Sequence, residues 1–208
     1  MDLLFSLIIL IFSVILHEVA HGYMADWLGD PTARLQGRLT LNPISHIDPL
    51  GSVILPAILV FTHSPVLIGY AKPVPYNPYN LPGKYDELLV AGAGPATNIF
   101  LALIFGFAIR FIGGPETPLI DAFAMIVYIN MLLAVFNLIP VPPLDGSKVL
   151  SGILPGALGR AYDDFRYSFE RLGVLSGTLL ILIIFYLLAP YFYALLAALF
   201  QLLTGTAL

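Results

Sequence analysis

Residues Val14 to Gly22 read VILHEVAHG, and they close an otherwise apolar N-terminal run. From Leu3 to Leu16 no residue is charged; then His17, Glu18 and His21 interrupt the pattern. His17 and His21 stand four apart, so a helix projects both from one face, one turn above the other. That spacing lets two imidazoles share one zinc ion, and Glu18 is placed to take a proton from an attacking water. The same motif arises by chance on soluble helices, where it binds nothing. The setting here argues for a metal and against a polar packing cluster. A charge at the bilayer centre costs about 2.5–3.5 kcal/mol on insertion scales, and a Glu flanked by two His needs a compensating partner.

The composition supplies the membrane. Of 208 residues, 59% are hydrophobic and 11% charged, with a mean hydropathy of +0.91; soluble domains carry about 25% charged residues. The net charge of −4 and the lack of any basic run exclude a nucleic-acid partner. With no cysteine in the chain, disulfides and thiolate metal sites are excluded, so His and carboxylates must hold any metal. The N-terminus is not read as a removable signal. Asp2 is its only early charge, and the apolar stretch runs directly into the His-Glu motif.

The predicted fold is an all-α polytopic membrane protein, a helical bundle with a re-entrant segment and a short membrane-associated β element. Leu3 to about Leu28 reads as one long helix stopped by Gly29, Asp30 and Pro31. At 1.5 Å per residue, His17 lies about 21 Å from Leu3, submerged but nearer the face at the helix C-terminus. Leu35, Leu39 and Leu41 alternate with polar residues, which suggests a short strand over Arg34 to Leu41. Leu50 to Ile68 is apolar but broken by Pro56 and Pro65, and it either spans or re-enters. Gly69 to Leu81, with prolines at 73, 75 and 78, reads as extended. Asp86 to Ile112 and Pro118 to Ile139 are convincing spans. Gly92 and Gly94 of the first permit close helix approach, and Asn98 can hydrogen-bond across it. Ser147 to Arg171 carries most of the remaining charge. Gly173 to Leu203 is one kinked helix or a hairpin, since Pro190 sits near its middle. The whole, residues 1–208, is one integral membrane domain with its core over 3–150 and C-terminal membrane helices over 172–204.

A stable zinc site needs a third protein ligand, with water in the fourth position for catalysis. The candidates are Asp26, His46, Asp48, His63 and Asp145. Asp26 is five residues after His21 and rotated off its face. His46 and Asp48 suit structural or capping roles in their loop, and His63 an interfacial one. Asp145 follows prolines at 140, 142 and 143 and precedes Gly146, a rigid support for an acid that must reach into a membrane site. On the residues alone, Asp145 and His46 both stay open.

HEVAHG at His17 to Gly22, AGPATN ending at Asn98, and FNLIPVPPLDG at Phe136 to Gly146 together resemble the three signatures of site-2 proteases, intramembrane zinc metalloproteases. The likeness covers Leu16 to Leu150 and is to the small prokaryotic branch without a PDZ domain. It implies one Zn²⁺ per chain on His17, His21 and Asp145, with Glu18 and Asn137 catalytic and Asn137 stabilising the reacting carbonyl. It implies hydrolysis of peptide bonds in a transmembrane protein or peptide substrate, within or near the lipid bilayer. The alternative is a membrane zinc carrier or sensor without hydrolysis, against which the few other intramembrane acids and histidines speak; an intact Glu18 speaks against a second rival, a catalytically silent scaffold.

If His21 and Asp145 meet, their helices end on one side and Asp86 to Ile112 runs the other way. Leu50 to Ile68 should then re-enter. Arg34, Arg38, Lys72, Lys84, Lys148, Arg160, Arg166 and Arg171 fall on the active-site side, and Arg110 on the other. The positive-inside rule therefore predicts a multi-pass cell-membrane protein with its active site toward the cytoplasm. Pro73 and Pro75 occupy one edge of the extended segment, which leaves the Lys72, Val74 and Tyr76 N–H groups to pair with an unwound substrate or with Arg34 to Leu41.

Overall fold

The computed structural model describes residues 3–54, 57–58, 61, 71–112, 117–171 and 174–206. Four long helices carry the architecture: α1 (Leu3–Trp27), α3 (Asp86–Ile112), α4 (Pro118–Asn137) and α7 (Val174–Thr204). Each contains a segment long and apolar enough to cross a membrane. Shorter α2 (Thr32–Leu35), α5 (Asp145–Ile153) and α6 (Gly156–Glu170) lie between them.

The direction of each helix follows from its polar contacts. Val90 of α3 meets His21 of α1, and Asn98, two turns on, meets Ser13, so α1 and α3 are antiparallel. On α4, Asn130 meets Ser13 while Asn137 shares a pocket with Glu18, so α4 runs with α1. At the far end Arg110 Nη1 donates to Leu202 O (2.9 Å), so α3 and α7 finish together. The half of the bundle remote from the motif is dry, packed from Ala102, Ile109, Val127, Met131, Leu196 and Phe200. The antiparallel order expected from the sequence is the one found. The C-terminal region is one helix with Pro190 inside it, so the hairpin is not formed.

α1 stops as the sequence predicts. Gly29 takes φ +110°, and Asp30 N donates back to Ala25 O (2.9 Å), an i→i−5 closure that satisfies the helix end. Asp30 then does more than terminate: it is fully buried, and its carboxylate accepts from Thr32 N and Oγ1, Asn77 N and Asn80 Nδ2. Burial alone pushes this carboxyl up. The hydrogen bonds from Thr32, Asn80 and Asn77 outweigh it and hold the group below the usual carboxylate range.

The short β element is not there: among the described residues there is no strand. Thr32–Leu35 is a helical turn, Gly37 follows at φ +64°, and Arg38 N bonds to Ala33 O, so the backbone closes on itself instead of offering a ladder. The alternating leucines misled because they share no buried face: Leu35 and Leu41 are exposed, while Leu39 packs toward Gly22. Residues 71–77 are neither helix nor strand, Asn77 is extended, and a 3₁₀ turn follows over Pro78–Asn80, within the stretch read as extended. Leu50 to Ile68 begins within a π-helical stretch, Pro49–Ile54, and most of the remainder, the re-entrant segment included, lies outside the described residues.

Candidate metal centre and active site

One turn apart on α1, His17 and His21 turn their Nε2 atoms inward, 3.1 Å from each other. Asp145 Oδ2 completes a triangle, 3.1 Å from His17 Nε2 and 3.3 Å from His21 Nε2. A tetrahedral zinc with bonds of about 2.0–2.1 Å spaces its ligand atoms by about 3.3 Å, so the triangle has the required size. The outer nitrogens decide the protonation. His21 Nδ1 lies 2.6 Å from Val90 O, a carbonyl that can only accept, so Nδ1 carries a hydrogen, and in the neutral imidazole Nε2 then presents the lone pair. His17 Nδ1 likewise faces Asn98 Oδ1 at 2.6 Å. Two lone pairs and a carboxylate converging at this distance repel one another unless a proton or a metal ion sits among them. The donor set fits a zinc ion, and among the described residues no other cluster of His, Asp and Glu does.

Helix approach makes this possible. A Cβ on Gly94 would run into His21 Nε2 and His17 Cε1, so α3 can pass this close beside the ligand pair only with glycine there. Gly92, also expected to bring helices together, faces open space. Asp145 reaches the histidines from the first residue of α5, after the turn built on Pro140, Pro142 and Pro143. Gly146 is needed in that turn for room more than for conformation, since a Cβ would collide with the Leu138 and Ile139 carbonyl oxygens.

The triangle opens onto a pocket of about 200 Å³ that holds Glu18, Asn137, Lys148 and the 71–77 segment. Glu18 Oε2 accepts from Val74 N–H at 2.9 Å. Asn137 donates one amide hydrogen to Leu133 O (2.9 Å), which leaves the second for the pocket. Burial draws the Lys148 ammonium down, but Tyr76, with its ring centroid 5.0 Å away, and Asp145 outweigh it, so the lysine stays charged. A larger groove of about 440 Å³ lies between α1 and α3, but its lining, Tyr23, Trp27 and Phe100 among it, offers no acid, base or metal ligand suited to catalysis.

The 71–77 segment departs from expectation. Its Lys72 and Val74 N–H groups are not free for a substrate strand: Lys72 N donates to His46 O (2.9 Å) and Val74 N to Glu18. Arg38 Nη2 grips the Lys72 and Pro73 carbonyls at 2.8 and 3.3 Å, and Asp30 holds Asn77 N at 2.6 Å and Asn80 Nδ2 at 2.7 Å. The segment is thus a strap tied at both ends beside Glu18 and the metal triangle. Prolines had marked it as extended, but nothing in its own residues identified Arg38, Asp30 and Glu18 as its moorings.

The rival ligands are elsewhere. His46 is buried, with Nε2 2.8 Å from Thr40 O. Asp26 pairs with Arg34 (3.1 Å), and Asp48 caps the following turn through Gly51 N (2.7 Å). His63 lies outside the described residues.

Known proteins share parts of this sequence. The model of peptidase family M50 matches residues 114–184, which include Asn137 and Asp145. YwhC of Bacillus subtilis, a candidate zinc metalloprotease, is 37% identical over 161 residues, covering 73% of this chain and 69% of that protein. The chain belongs to peptidase family M50. Among further M50 relatives, the Rip2 protein of Mycolicibacterium smegmatis, a candidate zinc metalloprotease, is 30% identical over 139 residues, 66% of this chain and 52% of Rip2. MJ0611 of Methanocaldococcus jannaschii, named likewise, is 40% identical over 75 residues, 36% of this chain and 38% of that one. No solved structure matches the chain.

Proposed function

We propose that this M50 chain is an intramembrane zinc metalloprotease that hydrolyses peptide bonds of transmembrane proteins or peptides, with one zinc on His17, His21 and Asp145. One observation carries the reading: the triangle of ligand atoms opens onto the pocket that holds Glu18 and Asn137. Zinc, when bound, supplies a Lewis acid for a carbonyl and lowers the pKa of a water to about 7.

The remaining work belongs to side chains. Glu18, with Oε2 tethered to Val74, accepts the proton of the attacking water through its other oxygen and returns it to the leaving amine. The spare N–H of Asn137 donates to the oxygen on which negative charge develops. A substrate helix hides its carbonyls in internal hydrogen bonds, so it unwinds locally before attack. A zinc carrier would need successive ligand sets along a path, and one cluster among the described residues does not supply them.

The site faces the cytoplasm in this reading, supported by Arg110 at the far end of α3 and the other cations around the pocket side, and Leu50 to Ile68 re-enters. Single cysteines at Gln36, Asn80 and Ser168 should then react with an impermeant thiol reagent only after the cell is opened; labelling of Asn80 from outside overturns the orientation. Glu18→Gln tests the chemistry. It should bind zinc normally yet lose cleavage of a model transmembrane substrate by about 10²–10⁴-fold, the worth of general acid–base catalysis. Normal zinc with undiminished cleavage removes Glu18 as the base.

A further inference from the structure

A chain of buried polar side chains leads away from the metal triangle into the bundle, and the chemistry proposed above does not use it. His17 Nδ1 lies 2.6 Å from Asn98 Oδ1, Asn98 Nδ2 is 2.8 Å from Asn130 Oδ1, and Asn130 Nδ2 is 3.0 Å from Ser13 Oγ. Asn98 and Asn130 are fully buried, and Ser13 nearly so. Two carboxamides and a hydroxyl in apolar spans are costly unless every polar atom is satisfied, and polar groups at such depth mark function more often than packing.

The direction of the chain is fixed by groups that can act in one way only. Asn130 Nδ2 also donates to Ile126 O (2.9 Å), a carbonyl that only accepts, so its Oδ1 must point at Asn98. Asn98 must answer with its amino group, which also faces Ser13 O (3.4 Å), a second pure acceptor. Its Oδ1 is thereby turned to His17 and can receive only a hydrogen. A reversed Asn98 would set oxygen against oxygen at Asn130 and amino group against Nδ1 at His17. The two backbone carbonyls, through two amides, thus determine which nitrogen of His17 carries the proton and which is left for the metal. The chain ends at Ser13 and Ile126 and reaches no surface, so it is no proton path.

We infer that Asn98 and Asn130 are positioning residues that hold His17 in its metal-binding tautomer, Asn130 acting wholly through Asn98. His21 needs no such device, because Val90 O serves it directly. The inference rests on the zinc reading above and adds a residue, Asn130, that touches neither metal nor pocket.

The test measures zinc affinity of the full chain in detergent, by competition with a chelator, and the visible bands of the Co²⁺-substituted protein. Outer residues that orient a metal-bound His are worth about 10–100-fold in affinity. Asn130→Leu should lose about tenfold and alter the Co²⁺ bands, and Asn98→Ala at least as much. The double variant should bind within about twofold of Asn98→Ala, because the second change removes a support that no longer acts. Asn130→Asp, kept protonated by the dry interior, still donates to Ile126 O and accepts from Asn98, and should recover to within about threefold of the parent. Should Asn130→Leu not fold, Asn130→Ala makes the same cut with less crowding. Parent-like affinity in either folded variant, or losses that multiply in the double, overturns the inference and leaves the zinc reading intact. A parent chain that takes up no zinc overturns both.

Discussion

The two walls of the site are built differently. The wall that carries His17 and His21 is all helix: each imidazole is backed by a group on α3, and the contacts are buried side chains and a carbonyl whose positions the bundle sets. The opposite wall is loop. Glu18 there meets a backbone N–H of the 71–77 strap, whose own position depends on Arg38 at one end and Asp30 at the other. Holding the metal is thus a property of helix packing, whereas closing the pocket is a property of a few side chains outside the bundle. Changes to the first wall should be read in zinc, and changes to the second in stability and access.

The largest effect should come from the residue that joins the walls. Asp145→Ala should lose zinc and cleavage together, while His46→Ala keeps both; full zinc occupancy in Asp145→Ala would falsify the ligand assignment. Next is Gly94→Ala, which sets one carbon against His21 Nε2 and His17 Cε1. It should weaken zinc binding by about 10–100-fold, the range for disturbed outer support of metal-bound His, and metal titration of the folded variant checks it. Parent-like affinity there would mean that the helical wall yields, and the contrast drawn above would fail.

The smallest effect belongs to the strap. Asp30→Asn keeps the size but gives up the charge that four donated hydrogen bonds favour; such bonds to charged groups are worth about 1.5–3 kcal/mol each, and most survive the change. The expected cost is about 1–3 kcal/mol at pH 7, with zinc affinity unchanged. The sign with pH follows from the lowered carboxyl. Its stabilisation is complete above the ordinary carboxylate value and disappears as pH falls through the lower folded value. The gap in Tm between parent and Asp30→Asn should therefore narrow from pH 7 to pH 3, and a constant gap would show that the charge contributes nothing.

Much of the helical wall was legible in the sequence. An apolar run, a four-residue histidine spacing and spans of the right length settle α1, α3 and α4, because helices within a bilayer satisfy their own backbone and need only composition to declare themselves. Gly94 and Asn98 were visible as a close-approach glycine and a bridging amide. That they bear on the histidines depends on how α3 is rotated, which the sequence leaves open. Asn130 was passed over as one polar residue in a span. The loop wall was harder to read: Leu35, Leu39 and Leu41 imitated a strand, since alternation says nothing of whether both sides are wet. Asp30 looked like a helix stop, and two of its four bonds come from Asn77 and Asn80, far along the chain. Choosing Asp145 over His46 needed the family likeness, because proline spacing alone does not say where a turn is aimed.

The Val74 contact has a consequence for how this protein is studied. Its donor belongs to the main chain, so replacing Val74 by alanine, or by any residue other than proline, leaves the N–H facing Glu18. A systematic side-chain survey would read position 74 through the packing of its buried side chain and assign the partner of Glu18 to nothing. Only an imino acid or an ester in the backbone at that position would bring the contact into view.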